Sequence, residues 1–329
     1  MIEQRIEGLY CIPGDFYIDP YRKCKNAFIT HGHADHARPG MENYFCTPET
    51  AEIMKHRISQ HLSIKKIKYF EKIEFNGVTV ILYPAGHVLG SSQILIEYKN
   101  KRVVVTGDYK RQLDNTCLPF HPVECDTFIT EATFANPKFQ WGPFDVEIGK
   151  IYKWYVANKK RRINSVLFGY SLGKSQRLIN ALKKRYKIEV FAHNTIRNIN
   201  KIYSKFGVGH LETKTISSKK GYKDGIIVMP PGARKSKLLA ELAPYRTAFC
   251  SGWITGKHAE YDEGFQISDH ADWNDLIKTI EQTKAKEVIL IHGSGPMLRK
   301  YLNSKNIVVS NYTKSHKEDK SVQLSMFNE

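Results

Sequence analysis

Hydrophobic positions in the first 140 residues fall in short runs, each closed by a polar turn. AFIT (27–30) leads into HGHADH, VTVILY (78–83) into PAGH, and TFIT (127–130) into EATF. ILIEY (94–98) and RVVV (102–105) flank a further turn, and RVVV ends in TGDY. Branched and aromatic residues dominate these runs, so they are predicted strands whose C-terminal ends carry polar loops. From about residue 145 the pattern lengthens. Helix-sized stretches, VEIGKIYKWYVANKKRR (146–162) and SQRLINALKKRY (175–186), alternate with SVLFGY, IEVFAH, IIVMP and TAFCSGW, which predicts a small α/β unit. After Gly264 the first pattern returns, with DWNDLIKTIEQ (272–282) as a helix and EVILIHG (287–293) as a strand. There is no internal repeat or low-complexity segment.

The length of 329 residues fits two structural units at roughly 150 residues per domain. The apolar runs are strand-sized, well short of the ~18 residues a membrane span needs. The N-terminal MIEQRIEGLYCIPGDFYIDP lacks the basic start and apolar core of a signal peptide. Six cysteines are scattered with no CxxC pair, which points to reduced thiols in a cytoplasm.

Charge changes the picture more. The formal net charge is +17, and it is concentrated. Trp141 to Gly264 holds 24 Lys/Arg against 9 Asp/Glu, a net of +15, while the rest holds 26 against 24. Clusters at Lys159–Arg162, Lys183–Arg185, Lys219–Lys220 and Arg234–Lys235 make this segment a candidate surface for an anionic polymer, nucleic acid above all.

The sharpest chemical signal is His31-Gly32-His33-Ala34-Asp35-His36, directly after AFIT. Imidazole and carboxylate together suit Zn²⁺, and His-x-His on an extended backbone points two rings the same way. His87, Asp108, Glu131 and His292 follow four other predicted strands, and His270 precedes a helix in SDHADW. Strand C-termini converge on one edge in layered α/β folds, so these residues can complete a ligand set. His56, His61, His121, His193, His210, His258 and His316 have no such placement and are read as ordinary surface or core residues.

HGHADH, then a lone His, then GD, resembles the HxHxDH signature of the metallo-β-lactamase superfamily. Glu131 in TEATF, His270 in SDHAD and His292 in IHG resemble the three additional motifs of the β-CASP nucleases, which bracket a cap inserted into the lactamase fold. The phrases PGDFYIDP, HADHARPG, PAGHVLGSSQ, GDYK and SGW are similar to the bacterial DNA ligase-associated exonucleases, relatives of Artemis. The resemblance covers nearly the whole chain. It implies an α/β architecture, an αββα metallo-β-lactamase sandwich from 1–140 and 265–329 with an inserted α/β cap, basic and β-CASP-like, at 141–264. It implies two divalent metals, Zn²⁺ or Mn²⁺, one on His31, His33 and His87, the other on Asp35, His36 and His292, with Asp108 bridging. Asp19 would orient a ligand imidazole, and His270, held by Glu131, would protonate the leaving oxygen. The implied activity is hydrolysis of DNA phosphodiesters by a hydroxide activated between two metals, as an exonuclease in DNA repair. Implied partners are DNA, a DNA ligase and a helicase. One feature points elsewhere: within the family a His in the last motif, as at His292, is typical of RNA-processing members. An RNA-processing ribonuclease is therefore the alternative.

Two short motifs compete. Gly169-Tyr170-Ser171-Leu172-Gly173 matches the G-x-S-x-G nucleophile elbow between a strand and a helix, but a serine hydrolase would leave HGHADH unexplained. GYSLGKS (169–175) is one residue short of a Walker loop, which argues against an ATPase. A glycine turn opening a helix can still hold a phosphate, so Ser171, Lys174 and Gln176 are candidate substrate-binding residues. A small-molecule thioesterase or lactonase of the same fold needs no +15 segment. A binding protein with a dead site would be expected to lose ligands.

Overall fold

A computed structural model describes residues 1–216, 224–254 and 260–310. Lys219, Lys220, His258 and His316 lie outside the described residues. The described residues form two compact units, one of 1–140 together with 270–310, the other within 141–269.

The first unit contains two sheets. Ile2–Arg5, Gly8–Cys11, Phe16–Ile18, Asn26–Phe28, Asn43–Cys46 and Ile64–Lys66 make a six-stranded sheet in chain order. Lys72–Phe75, Val78–Pro84, Ser92–Tyr98 and Lys101–Val105 form an antiparallel meander. Thr127–Glu131, Glu287–Ile291 and Val308–Ser310 extend it in parallel. Inward faces of both sheets share one core, in which Phe16, Ile18, Phe28 and Phe45 meet Val80, Leu82, Ile94, Val105 and Ile289. The helix Pro48–Arg57 supplies Ala51 and Met54 to the outer face of the first sheet, against Ala27, Ile29 and Tyr44. Trp273–Thr283 and Pro296–Ser304 cover the outer face of the second through Leu276, Ile280, Leu298 and Leu302. Helix, sheet, sheet and helix thus stack as the αββα sandwich expected.

The hydrophobic pattern does not reveal Pro48–Arg57. Its apolar residues are few, and local signals fix it instead. Pro48 occupies the first turn, and Thr47 Oγ1 accepts the Thr50 amide at 3.2 Å.

The second unit is built on a wholly parallel sheet, in the order Lys214–Thr215, Val190–Ala192, Ile226–Met229, Asn164–Phe168, Tyr245–Cys250, Glu263–Phe265. Phe144–Lys160, Lys174–Tyr186 and Asn194–Lys205 are its longer helices. The helix Asn194–Lys205 lies outside the stretches expected to be helical. It is capped by His193, whose Nδ1 accepts the Thr195 amide at 3.3 Å. The unit runs past Gly264 because Glu263–Phe265 pairs with Tyr245–Cys250 and closes the sheet edge. No helix among the described residues is long and apolar enough to cross a membrane.

Phe28 ties the first core to the loop that follows it. Its ring lies 4.4 Å from Phe16 and stacks on Phe45 at 4.8 Å, centroid to centroid, with no solvent exposure. Phe28→Ala removes these contacts and leaves a cavity, so unfolding free energy should drop by about 3–5 kcal/mol. Urea unfolding, followed by fluorescence, checks this; a midpoint equal to wild type would be incompatible with the packing.

Candidate metal centre

Each candidate ligand leaves the end of a strand. His31 follows Asn26–Phe28, His87 follows Val78–Pro84, Asp108 follows Lys101–Val105, and His292 follows Glu287–Ile291. Glu131 is the last residue of its strand. These ends meet at one edge of the sandwich. Two tight backbone features make the approach feasible. Gly107 has φ +57°, and a Cβ there would lie 2.5 Å from Thr30 Oγ1, so no other residue lets this turn sit against the HGHADH loop. Asp19 and His292 also take left-handed backbone, at φ +44° and +54°, conformations that cost free energy and that cluster at functional sites.

His31 Nε2 and His87 Nε2 lie 3.0 and 3.1 Å from His33 Nδ1. With Asp108 these three residues form a group whose donor atoms all lie within 4.8 Å of one another. Imidazole nitrogens so close are spaced as ligands around one ion would be, given Zn–N bonds of about 2.0–2.1 Å. A second group of the same kind is His36, Asp108 and His292. Asp108 belongs to both, its Oδ2 lying 3.7 Å from His31 and 3.5 Å from His36. Asp35 stands beside the second group, with Oδ2 3.6 Å from His36 Nε2. All seven expected ligands are therefore in one place.

Asp19 reaches this cluster from behind. Its Oδ2 accepts from Thr30 Oγ1 at 2.5 Å and lies 2.7 Å from His36 Nδ1, while Oδ1 accepts the Thr30 amide at 2.8 Å. Nδ1 of His36 is thereby committed to Asp19, and Nε2 is aimed inward. That Nε2 is buried and has no hydrogen-bond partner. A buried polar atom without a partner is costly, and a cation in front of it removes the cost.

Electrostatics give the same answer. Burial, with His36 and His87 close by, holds His31 well below the ordinary histidine range, which leaves its lone pair available. At His36 burial opposes the charge, but Asp108, Asp35 and Asp19 outweigh it and raise this histidine well above its usual value. Burial also opposes ionisation of Asp108, yet His36 and His270 keep it well below the usual carboxylate range. The carboxylates thus favour positive charge here, which a divalent ion supplies in place of a proton.

Glu131 and His270 stand next to the ligands. Glu131 is fully buried; its Oε1 accepts the Tyr109 amide at 2.7 Å and its Oε2 lies 2.8 Å from His270 Nδ1. His270 Nδ1 is 4.0 Å from Asp108 Oδ2, and the imidazole is partly open to solvent. Tyr109 and Thr30, which hold Glu131 and Asp19, carried no signal in the sequence beyond their neighbours.

Ser171, Lys174 and Gln176 behave differently from the expectation. Lys174 and Gln176 are buried and satisfied inside the second unit. Lys174 Nζ pairs with Asp269 at 3.3 Å. The Gln176 amide accepts from Gly173 N at 2.7 Å and donates to Ser171 O and Asn200 Oδ1 at 3.0 and 2.9 Å. These two side chains close the helix start and are not available to hold a phosphate. Ser171 Oγ lies 3.2 Å from Thr195 Oγ1, at the surface. Elsewhere in this unit Lys159 to Arg162, Lys184, Arg185 and Lys235 are exposed.

Comparison with known proteins agrees with this centre. Residues 263–305 match a family model described as "Zn-dependent metallo-hydrolase RNA specificity domain". Together with the relatives that follow, this match supports a metallo-β-lactamase-fold nuclease of the β-CASP type. Over 87% of its length the chain is similar, at 29% identity, to 28% of a protein of Opitutus terrae named "Probable DNA ligase". A "Cleavage and polyadenylation specificity factor subunit 3" of Dictyostelium discoideum is 38% identical over 22% of the chain and 10% of its own length. An "RNase J-like protein" of Methanocaldococcus jannaschii is 30% identical over 33% of the chain and 31% of its own length. The chain thus spans less than a third of each of these relatives.

Loss of the Asp19 carboxylate tests how far it governs the centre. Asp19→Asn keeps the shape but weakens the hold on His36 Nδ1, so divalent-metal affinity should fall about 10–100-fold. Chelator competition measures it, with circular dichroism as the check that the fold is kept; unchanged affinity would mean that Asp19 does not act on the metal through His36.

Proposed function

We propose that this protein is a metal-dependent phosphodiesterase that hydrolyses DNA, as an exonuclease acting in repair. The observation that carries the reading is the His270–Glu131 pair, 2.8 Å apart, which with Asp108 forms a third group beside the two ligand groups that also contain Asp108. Two Zn²⁺ ions fit the donor set best, with Mn²⁺ as the alternative. His31, His33 and His87 would hold one, and Asp35, His36 and His292 the other. When bound, such ions supply Lewis acidity toward water and toward the phosphoryl oxygens.

The chain's own contribution is proton management. Glu131 accepts from Nδ1 of His270 and so fixes the orientation of the ring and the position of Nε2. Nε2 can then give its proton to a departing alkoxide, while the buried carboxylate stabilises the imidazolium beforehand. The +15 segment between Glu131 and His270 in the chain supplies the long-range attraction that a polyanion needs.

DNA is supported by likeness over 87% of the chain to a protein named for DNA ligase. The same likeness makes a DNA ligase the first partner to test, and the resemblance to ligase-associated exonucleases adds a helicase. A second reading, RNA processing, is favoured by His292 and by the description of the family model that matches 263–305. Incubating metal-loaded protein with end-labelled single- and double-stranded DNA and RNA separates them. Faster release of terminal deoxynucleotides supports the first reading, and cleavage of RNA alone replaces it with the second.

His270→Ala should keep both metals and lose rate by about 10²–10⁴-fold. A nitrophenyl phosphodiester, whose leaving group needs little protonation, should be cut by the mutant nearly as well as by wild type. Glu131→Gln should show a milder form of the defect and add little to it in the double mutant. Release of metal from His270→Ala would make His270 a ligand instead, and equal losses on both substrates with metal retained would exclude the proton-donor role.

A further inference from the structure

We propose that Tyr21 and Arg38 form a nucleotide-binding subsite on the rim of the metal centre, where a base of single-stranded nucleic acid stacks on Tyr21 and an adjoining phosphate meets Arg38. This rests on the phosphodiesterase reading and adds to it a place for the strand on the first unit itself.

Tyr21 is 45% exposed, although most aromatic side chains of this unit are turned into the sandwich. It lines one narrow cleft together with Asp19, Asp35, His36 and His292, which places its ring at the edge of the second ligand group. The Arg38 guanidinium carbon lies 5.5 Å from the centre of that ring. Arg38 Nε also donates to the Asp35 carbonyl at 3.4 Å, so the cation is tethered to the loop that carries the ligands.

Both residues stand on fixed backbone. Tyr21 N donates to Glu7 O at 2.6 Å. Arg38 O accepts from Tyr44 Oη at 2.9 Å, and Tyr44 is buried and accepts in turn from Met41 N at 3.1 Å. A preorganised pair of this kind loses little conformational freedom when a ligand settles on it.

Charge selects the partner. Outside 141–264 the chain is nearly neutral, with 26 basic against 24 acidic residues, yet Tyr21 to Lys25 reads YRKCK without an acid. Arg22, Lys23 and Lys25 are exposed, and the Lys23 side chain lies against Gly40, two residues beyond Arg38. An exposed aromatic face beside a planar guanidinium and further cations matches the alternating bases and phosphates of a nucleic acid strand. Aromatic rings stack with any base, and a guanidinium binds phosphate oxygens in a fork.

The test uses the full chain and single-stranded decamers, as DNA and as RNA, with 2-aminopurine moved through each position. Wild type and Tyr21→Phe should quench the fluorophore at one position, and Tyr21→Ala should not. Tyr21→Ala should bind about 5–150-fold more weakly, the range for one lost base stack. An abasic nucleotide at that position should weaken wild type by the same factor and Tyr21→Ala little further. Arg38→Ala should lower the salt dependence of binding by about one phosphate contact. Metal content and melting temperature should be unchanged in every variant. If wild type cuts the decamers but Tyr21→Ala binds them equally well, or loses the same factor on the abasic strand, the subsite is overturned and the phosphodiesterase reading stands. If wild type neither binds nor cuts any decamer, both fall together.

Discussion

A single carboxylate oxygen organises the edge of the sandwich. Oδ2 of Asp108 has four imidazoles around it, those of His31, His36, His87 and His270, at 3.5–4.0 Å. Groups in such numbers cannot be buried together unless their charges are matched, because desolvation of each ion costs more than a weak pairing returns. The backbone is built around that demand. Gly107 takes φ +57° so that the Asp108 turn can lie against Thr30, and His292 takes φ +54° at the end of its own strand. The second sheet places the strands before Asp108, Glu131 and His292 side by side, so the ladder of the sheet holds these residues in register.

The matching extends one layer outward. Asp19 faces His36, and Glu131 faces His270; each carboxylate also takes a backbone amide, from Thr30 and Tyr109 respectively. These amides belong to the two turns that carry the first and third ligand motifs. Orientation of the rings and placement of the turns are therefore one set of hydrogen bonds, and a change in either should be felt in the other.

Much of this was legible because metal sites concentrate rare residues. HGHADH announces itself, and the strands before His87, Asp108, Glu131 and His292 are short apolar runs that a reader can count. The sandwich could be inferred from those runs together with the family likeness. What stayed hidden depended on contacts between distant segments. Pro48–Arg57 has too few apolar residues to show a helical stripe, and the buried stripe of Asn194–Lys205, though at helical spacing, is interrupted by the polar Asn200. Lys174 and Gln176 looked like phosphate ligands because GYSLGKS has nearly the right composition. Their true partners, Asp269 and Asn200, lie far along the chain, and burial is decided by packing that spacing alone does not disclose. Tyr21 and Arg38 likewise become neighbours only when the first sheet forms.

The chain leaves the first unit at Gln140 and re-enters it at His270. Domains fold largely as they emerge from the ribosome, N-terminal parts first. The group of His31, His33, His87 and Asp108 is therefore complete before the inserted unit has been made, whereas the group that needs His292 is not. His270, the proton donor proposed above, is the first residue of the returning segment. On the proposed reading, the nascent chain would hold one complete ligand group before it has His270 and His292, so the order of the motifs would delay hydrolysis until the returning segment has been translated.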